Sequence, residues 1–519
     1  SALLSAHQSI GVPQPLNLFG SQELKKKYLP RCAAGEISAF ALTEPDVGSD
    51  PARVATRAEL TPEGDTYILN GTKLWCTNGT LAGLLVVMAV DSETENISAF
   101  VVETDWPGVT VEHRCHFMGL KALANAVISF HNVRLPRENL IGKAGKGLKI
   151  ALTTLNDGRL SIPNGAVGGA KVCLQICRKW SNERVQWGKP IGRHEAIAHM
   201  ISRMAAKTFA MESIARLATE MSDRGGYDIR LEAAAAKEWN TCTGWEIIDD
   251  TMQIRGGRGY ETESSLASRG EDPIGVERMM RDSRINKIFE GSSEIMHLFM
   301  AREAVDKHLQ VAGLLVDPGS SLGAKLKALP GILAFYASWY PTCWLGWGRG
   351  PRYGNFGDLA PHLRFVERMG RKLARQVFHG LVVHGPRLQN KQAFLFRLVD
   401  IANELFAMAA SLSRAHALRK AKRDDYDEAV RLADIFCRQS RRKVRRLFQD
   451  LWSNDDVLLY KSALRLLETE QSWMEHGVYR LEEMVERAKQ PPPMVPEEVP
   501  PEIFHRNNLR NPRTSCKKK

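Results

Sequence analysis

A glutamate that follows two apolar residues and precedes a glycine is the feature of this chain best suited to chemistry. It lies in Ile288-Phe289-Glu290-Gly291-Ser292-Ser293-Glu294. A carboxylate at an apolar boundary is partly stripped of water, which disfavours its charged form and raises its pKa. A raised pKa suits a general base working near neutral pH. The serines that follow suit the N-cap of a helix. Taken alone, the same glutamate also reads as a surface residue.

Three further stretches carry side chains of the right type for a bound cofactor. Phe40-Ala41-Leu42-Thr43-Glu44-Pro45-Asp46-Val47-Gly48-Ser49-Asp50 reads as a polar turn after a strand, or as a loop offering amides and hydroxyls. In Lys73-Leu74-Trp75-Cys76-Thr77-Asn78-Gly79, strand alternation would put Trp75 and Thr77 on one face, a flat surface beside a hydroxyl donor. A core tryptophan is the alternative there. Glu183-Arg184-Val185-Gln186-Trp187-Gly188-Lys189-Pro190-Ile191-Gly192-Arg193-His194 gathers cations and an aromatic beside a helix start. That suits a pyrophosphate, and a solvated loop is the plainer reading. Gln253-Ile254-Arg255-Gly256-Gly257-Arg258-Gly259-Tyr260 opens the stretch that leads to Glu290.

Several elements must position these residues. Residues 1–30 hold a short amphipathic helix that Pro30 is expected to stop, with Lys25, Lys26 and Lys27 on a solvated face. From about 37 to 135 the pattern is short β runs. Thr66–Leu69, Asn70-Gly71 and Thr72–Trp75 read as a hairpin, because Asn-Gly tolerates the positive φ angles of a tight primed turn. Further strands are expected at 84–90, 97–102, 109–113 and 126–130. Helical periodicity then takes over at 146–180, 194–223, 229–253 and 293–309, with Gly225-Gly226 and Gly256-Gly257 as stops. Pro318-Gly319-Ser320-Ser321 reads as a linker before a second helical stretch, and the Pro-rich, then basic, end reads as extended. The expected domains are 1–36, a β domain at 37–141, a helical bundle at 142–315, a further helical domain at 316–490, and a tail at 491–519.

Composition agrees with a globular protein: 519 residues, 44% hydrophobic and 25% charged. The net charge of +12 favours anionic partners, whether a phosphate-rich ligand, anionic lipid or nucleic acid. Nine scattered cysteines argue against a disulfide framework and for a reducing compartment, with Cys173 and Cys177 as core thiols. The longest apolar run, Leu84–Val90, has the length of a buried strand, not of a membrane span. No spacing calls for a metal.

Together and in this order, the four segments resemble the acyl-CoA dehydrogenase family, over residues 1 to about 310. The chain is most similar to long bacterial and very-long-chain-type members, which carry an extra C-terminal helical domain. The resemblance implies a mainly α fold with a central β domain: a helical domain, a β-barrel-like domain and a four-helix bundle, then the extra domain. It also implies that most of the N-terminal helices that line the acyl pocket lie outside this sequence.

The resemblance assigns roles residue by residue. Glu290 is the base that removes the α-proton of a long-chain acyl-CoA as FAD takes the β-hydrogen, giving a trans-2-enoyl-CoA in fatty acid β-oxidation. Phe40, Leu42, Thr43, Gly48 and Ser49 would line the flavin, with Trp75 beside its ring and Thr77 donating near N5. Arg184, Gln186, Trp187, Ile191 and His194 would approach the adenine–pyrophosphate half. Gln253, Gly256 and Gly257 would complete that half across a homodimer, and Ser292 and Glu294 would also touch the cofactor. Ser49, Leu155, Arg159, Phe289 and Gly291 would contact substrate, with Pro163 and Gly165 on the wall. Asp46, Val47, Arg53, Gln186, Glu195, Ser292 and an insertion around Ser264 to Pro273 depart from the family pattern, and none removes a catalytic group. The implied electron partner is an electron-transferring flavoprotein. The implied location is bacterial cytoplasm, or the mitochondrial matrix in a eukaryote. The basic cluster Arg438, Arg441, Arg442, Lys443, Arg445 and Arg446 reads as a solvated face or as a peripheral membrane contact. A DNA-binding alkylation-response flavoprotein of the same fold and an acyl-CoA oxidase are the rival readings.

Overall fold

The computed structural model describes residues 8–226, 228–317, 319–345, 353–469 and 473–489. The tail expected at 491–519 lies outside them, as does Pro318 of the expected linker. Contacts divide the chain into two compact units, Ser1–Ser453 and Asn454–Lys519.

The first unit opens with two helices, α1 (Pro13–Phe19) and α2 (Gln22–Ala33). Ser21 caps α2 through its hydroxyl. Pro30 does not stop this helix, contrary to expectation; it lies inside the last turn, and the helix runs on to Ala33. Near a helix end, proline forfeits few backbone hydrogen bonds.

Strands β1 (Ser38–Ala41), β2 (Arg57–Leu60), β3 (Thr66–Cys76), β4 (Leu84–Asp91), β5 (Ile97–Glu103), β6 (Val109–Cys115) and β7 (Asn125–Pro136) form one seven-stranded sheet. Its path is β1-β4-β2-β3-β7-β6, with β5 also on β4. The hairpin expected at Asn70-Gly71 is not formed. β3 runs straight through it, because β7 pairs with β3 on both sides and the ladder only shifts register between Leu69 and Gly71. The backbone passes Thr56 so closely there that a Cβ on Gly71 would lie 2.5 Å from its hydroxyl oxygen. One sheet face buries Tyr67, Leu69, Phe100, Ile128 and Phe130; the other packs Val86, Met88 and Val101 with Leu16, Tyr28 and Ile150.

Helices follow: α3 (Gly147–Glu183), the small hairpin β8 (Val185–Gln186) and β9 (Lys189–Pro190), α4 (Glu195–Arg224) and α5 (Arg230–Arg255). After them come the short α6 (Gly257–Tyr260), α7 (Glu263–Ser268) and α8 (Val276–Ser283), then α9 (Ser293–Val316) and α10 (Leu322–Leu345). Gly225 and Gly256 end α4 and α5 in left-handed φ of 64° and 60°, which glycine adopts without a Cβ penalty. The last long helices of this unit are α11 (Ala360–His384), α12 (Gln392–Lys420) and α13 (Tyr426–Asp450). One continuous core joins α4 and α5 to α12 and α13, through residues such as Met211, Trp239, Leu398, Met408 and Phe436. Cys173 and Cys177 are buried in it as free thiols.

The basic cluster falls on α13, where the fold uses part of it. Lys443 bonds Glu404, Arg438 pairs with Asp434, and Arg441 and Arg445 lie over the Phe365 ring at 5.0 and 5.6 Å. The second unit contributes α14 (Asp456–Leu467) and α15 (Leu481–Lys489), neither with a buried residue. No helix among the described residues is long and apolar enough to cross a membrane.

Candidate active site

Glu290 sits between the short turn Arg284–Lys287 and α9. Both it and Gly291 are in the left-handed region, with φ of 51° and 89°. That conformation strains a non-glycine residue and clusters at functional sites. Ser292 caps α9 by accepting the Ile295 N–H, so the chain turns sharply at Glu290 and enters the helix two residues later.

The residue is partly exposed, yet both carboxylate oxygens are shielded from solvent and accept no hydrogen bond from the protein. Burial pushes its pKa up to about 7, against the opposing charges of Arg159 and Lys237. Space for the carboxylate comes from α3: a Cβ on Gly158 would lie 2.5 Å from Glu290 Oε2. Arg159, next to it, is buried. Lys237 of α5 donates to the Gly291 carbonyl at 2.6 Å.

The sheet end is built differently. Trp75 has φ of 55° where the β3–β7 ladder shifts register between Lys73 and Cys76, and it is 55% exposed. This bulge breaks the alternation expected to align Trp75 with Thr77. Instead Thr77 is half-buried and donates to Asn125 Oδ1 at 2.9 Å. Phe40, Leu42 and Thr43 are half-buried, and Gly48 and Ser49 are exposed. Beneath them lies a pair that sequence reasoning missed: Lys73 Nζ to Glu44 Oε1 at 2.6 Å, both buried. Glu44 also accepts from the Ala55 and Thr56 N–H groups and the Thr56 hydroxyl. Lys73 further donates to Leu42 O, and Leu74 N–H to Thr43 O. These bonds staple the 42–56 loop to the strand that carries Trp75.

The third group is the β8–β9 hairpin. Trp187 and Gly188 take its tip with φ of 48° and 76°, and Trp187 is 90% exposed. His194 meets the Trp187 ring edge-on at 5.8 Å and contacts Gln186 O at 3.0 Å. Arg184 lies 5.9 Å from the Trp180 ring, and Ile191 N–H donates to Arg184 O. Gln253, Gly256 and Gly257 are exposed at the α5–α6 corner, and Glu294 is exposed in the first turn of α9. The sheet and the Glu290 segment are tied together: the Leu120 N–H reaches Asp282 at 2.6 Å and Arg281 donates to Met118 O at 2.8 Å.

A cavity of about 590 Å³ opens between Leu120–Leu123, α3, α5 and α8. Gly165 lines it; Leu155, Arg159, Pro163, Phe289 and Glu290 are not among its lining residues. A smaller apolar cavity of about 200 Å³ lies among α5, α9, α11 and α12, also without Glu290 in its lining. Among the described residues, no three His, Cys, Asp or Glu side chains gather as metal ligands.

Glu290 thus stands as an unpaired, shielded carboxylate, and the neighbouring Arg281-Asp282 segment is bonded to the loop between β6 and β7. The family models for acyl-CoA dehydrogenase match along the chain: the N-terminal domain over residues 1–36, the middle domain over 39–133 and the C-terminal domain over 145–305. The model for the ACAD9/ACADV C-terminal domain matches residues 358–469. The chain belongs to the acyl-CoA dehydrogenase family. It is 54% identical over 482 residues to the probable acyl-CoA dehydrogenase FadE10 of Mycobacterium tuberculosis, covering 92% of this chain and 74% of that protein. It is 34% identical over 481 residues to the human mitochondrial very long-chain specific acyl-CoA dehydrogenase, covering 89% and 71%. Among solved structures, an acyl-CoA dehydrogenase complexed with FAD from Bacillus anthracis is similar with a TM-score of 0.70 and 28% identity, covering 90% of this chain and 78% of that one.

Proposed function

We propose that this enzyme oxidises a long-chain acyl-CoA to the trans-2-enoyl-CoA in fatty acid β-oxidation, using FAD, with Glu290 as the base. The observation that carries the reading is the Glu290 carboxylate, buried and without a hydrogen-bond donor. A structural glutamate would be paired, because a buried polar group without a partner costs free energy. An orphan carboxylate with a pKa near 7 is instead poised to take a proton at physiological pH.

The residues present fit a flavin. Two indoles, Trp75 and Trp187, stand open to solvent on left-handed backbone, an expensive way to display apolar rings unless something flat covers them. Phe40, Leu42, Thr43, Gly48, Ser49, Trp75 and Thr77 would hold the ring system, and Ser292 and Glu294 its edge. Arg184, Gln186, Trp187, Ile191 and His194 would take the adenine–pyrophosphate half. The exposed Gln253, Gly256 and Gly257 would serve that half from the partner protomer of a homodimer. When bound, FAD supplies the acceptor for the β-hydrogen, which leaves as a hydride.

The protein's own work is at the α-carbon. Glu290 accepts the α-proton, and its backbone N–H is the donor we assign to the thioester carbonyl, where negative charge grows as that proton leaves. Arg159 and Gly291 border the carboxylate, and we assign the apolar Phe289 and Leu155 to the substrate. An electron-transferring flavoprotein is the partner assigned to reoxidise the enzyme.

The test is anaerobic titration of the FAD-loaded enzyme with acyl-CoAs of increasing chain length, following flavin absorbance. Bleaching strongest with long chains supports the reading. No bleaching with any thioester would refute it, and peroxide release in air without an added acceptor would reassign the enzyme as an oxidase.

A further inference from the structure

Lys237, whose ammonium is pushed down to about 8 by burial, is a cation at neutral pH that the reaction above leaves without a role. Its side chain is fully shielded from solvent in the middle of α5. Burying an ammonium costs several kcal/mol unless it is matched by opposite charge and hydrogen bonds. The bond that the structure provides reaches 54 residues along the chain, from Lys237 Nζ to the Gly291 carbonyl at 2.6 Å. The opposite charge is Glu290, the residue before that carbonyl, which acts electrostatically on Lys237 and is acted on in turn.

The place it grips is the strained one. Glu290 and Gly291 are consecutive left-handed residues, and strain of that kind persists only where the surroundings over-determine it. Met296 closes one side, since its Cε lies 2.3 Å from where a Gly291 Cβ would stand. Lys237 holds the other through the carbonyl. Among the described residues, the groups besides Glu290 that act electrostatically on Lys237 are Arg159 from α3, and Glu238 and Cys242 from α5 itself. Burial keeps the Cys242 thiol neutral, pushing it up to about 12, and raises the Glu238 carboxyl. Glu238 is also occupied elsewhere, accepting from Asn403 and Cys242.

We propose that Lys237 is a positioning residue for Glu290: its ammonium, anchored to the Gly291 carbonyl at the left-handed bend, holds a positive charge behind the Glu290 carboxylate. This rests on Glu290 being the base. Bleaching of the wild-type enzyme by an acyl-CoA tests that premise separately, before any Lys237 variant is compared.

The variants are Lys237→Met, which keeps the length and loses the charge, and Lys237→Arg, which keeps the charge. Two quantities are read. One is the pH profile of flavin reduction by the best acyl-CoA. The other needs no turnover: the infrared band of the protonated Glu290 carboxyl, identified by its loss in Glu290→Gln, followed against pH. In Lys237→Met both midpoints are expected to rise by about one pH unit, so the rate at pH 7 falls about fivefold and largely recovers at pH 9. Lys237→Arg keeps both midpoints near the wild-type value. A rate loss equal at every pH, with the infrared midpoint unmoved, would overturn the proposal, and so would a Met variant indistinguishable from wild type. Should Lys237→Met fail to fold, Lys237→Gln, which keeps an N–H donor without the charge, is read by the same two midpoints and judged by the same outcomes.

Discussion

The sheet and the helical bundle each bury a glutamate near a lysine, and they use the pair for opposite ends. In the sheet, Glu44 accepts from two backbone N–H groups, the Thr56 hydroxyl and the Lys73 ammonium. Burial would raise its carboxyl, but Lys73 and these hydrogen bonds outweigh that and hold it below the ordinary range. In the bundle, Lys237 bonds the Gly291 backbone and leaves the Glu290 oxygens without a donor, so burial wins and the carboxyl rises to about 7. The lesson is that burial alone does not decide: a cation in direct contact, together with hydrogen bonds to the carboxylate, separates a structural carboxylate from a basic one.

Breaking the sheet pair is the largest expected effect. Lys73→Met leaves Glu44 charged and buried without its cation, and should cost about 3–5 kcal/mol in denaturant unfolding. On the bundle side, Gly158→Ala puts a methyl 2.5 Å from the Glu290 carboxylate, the movable end of a side chain. The fold should survive while the base is displaced, lowering the rate of flavin reduction by about 100-fold with little change in melting temperature.

Glu290→Gln should move stability the other way from Lys73→Met. The folded state keeps a proton on Glu290 up to about pH 7, whereas the unfolded chain releases it near 4.5. Wild-type stability therefore falls as pH rises between those values, and the charged form stays costly above them. Removing the charge should stabilise the protein by about 1–3 kcal/mol at pH 8, with the gain fading as pH falls from 7 to 4.5 and absent below that. A destabilised Gln variant at pH 8 would mean that Glu290 is paired, as Glu44 is. The smallest effect is Ser292→Ala, which loses the α9 cap and should cost about 1 kcal/mol by the same melts.

What was legible in the sequence was local. The apolar flank and the following serine marked Glu290, and glycines marked the ends of α4 and α5. What was not legible depends on residues far apart in the chain. Asn70-Gly71 carries the signal of a turn, but β7 is long enough to pair across it, so tertiary pairing overrode local chemistry. The Trp75 bulge hid for the same reason. Glu44 and Lys73 lie 29 residues apart, and Lys237 and Gly291 lie 54 apart, with nothing in either segment naming its partner. Lys237, directly after the run Ala233–Ala236, reads as a solvated helix position until the fold buries it.

The central claim is that Glu290 is a base titrating near neutrality. The most direct measurement is the anaerobic rate of flavin reduction by a long-chain acyl-CoA from pH 5 to pH 9, for wild type and Glu290→Gln, with bound FAD quantified in both. The account predicts a wild-type rate that climbs through a midpoint near pH 7 and levels above it, and a Gln variant that binds FAD yet is slower by about 1,000-fold or more at every pH. A Gln variant that reduces its flavin at a comparable rate, or a wild-type profile flat from pH 5 to pH 9, would contradict it.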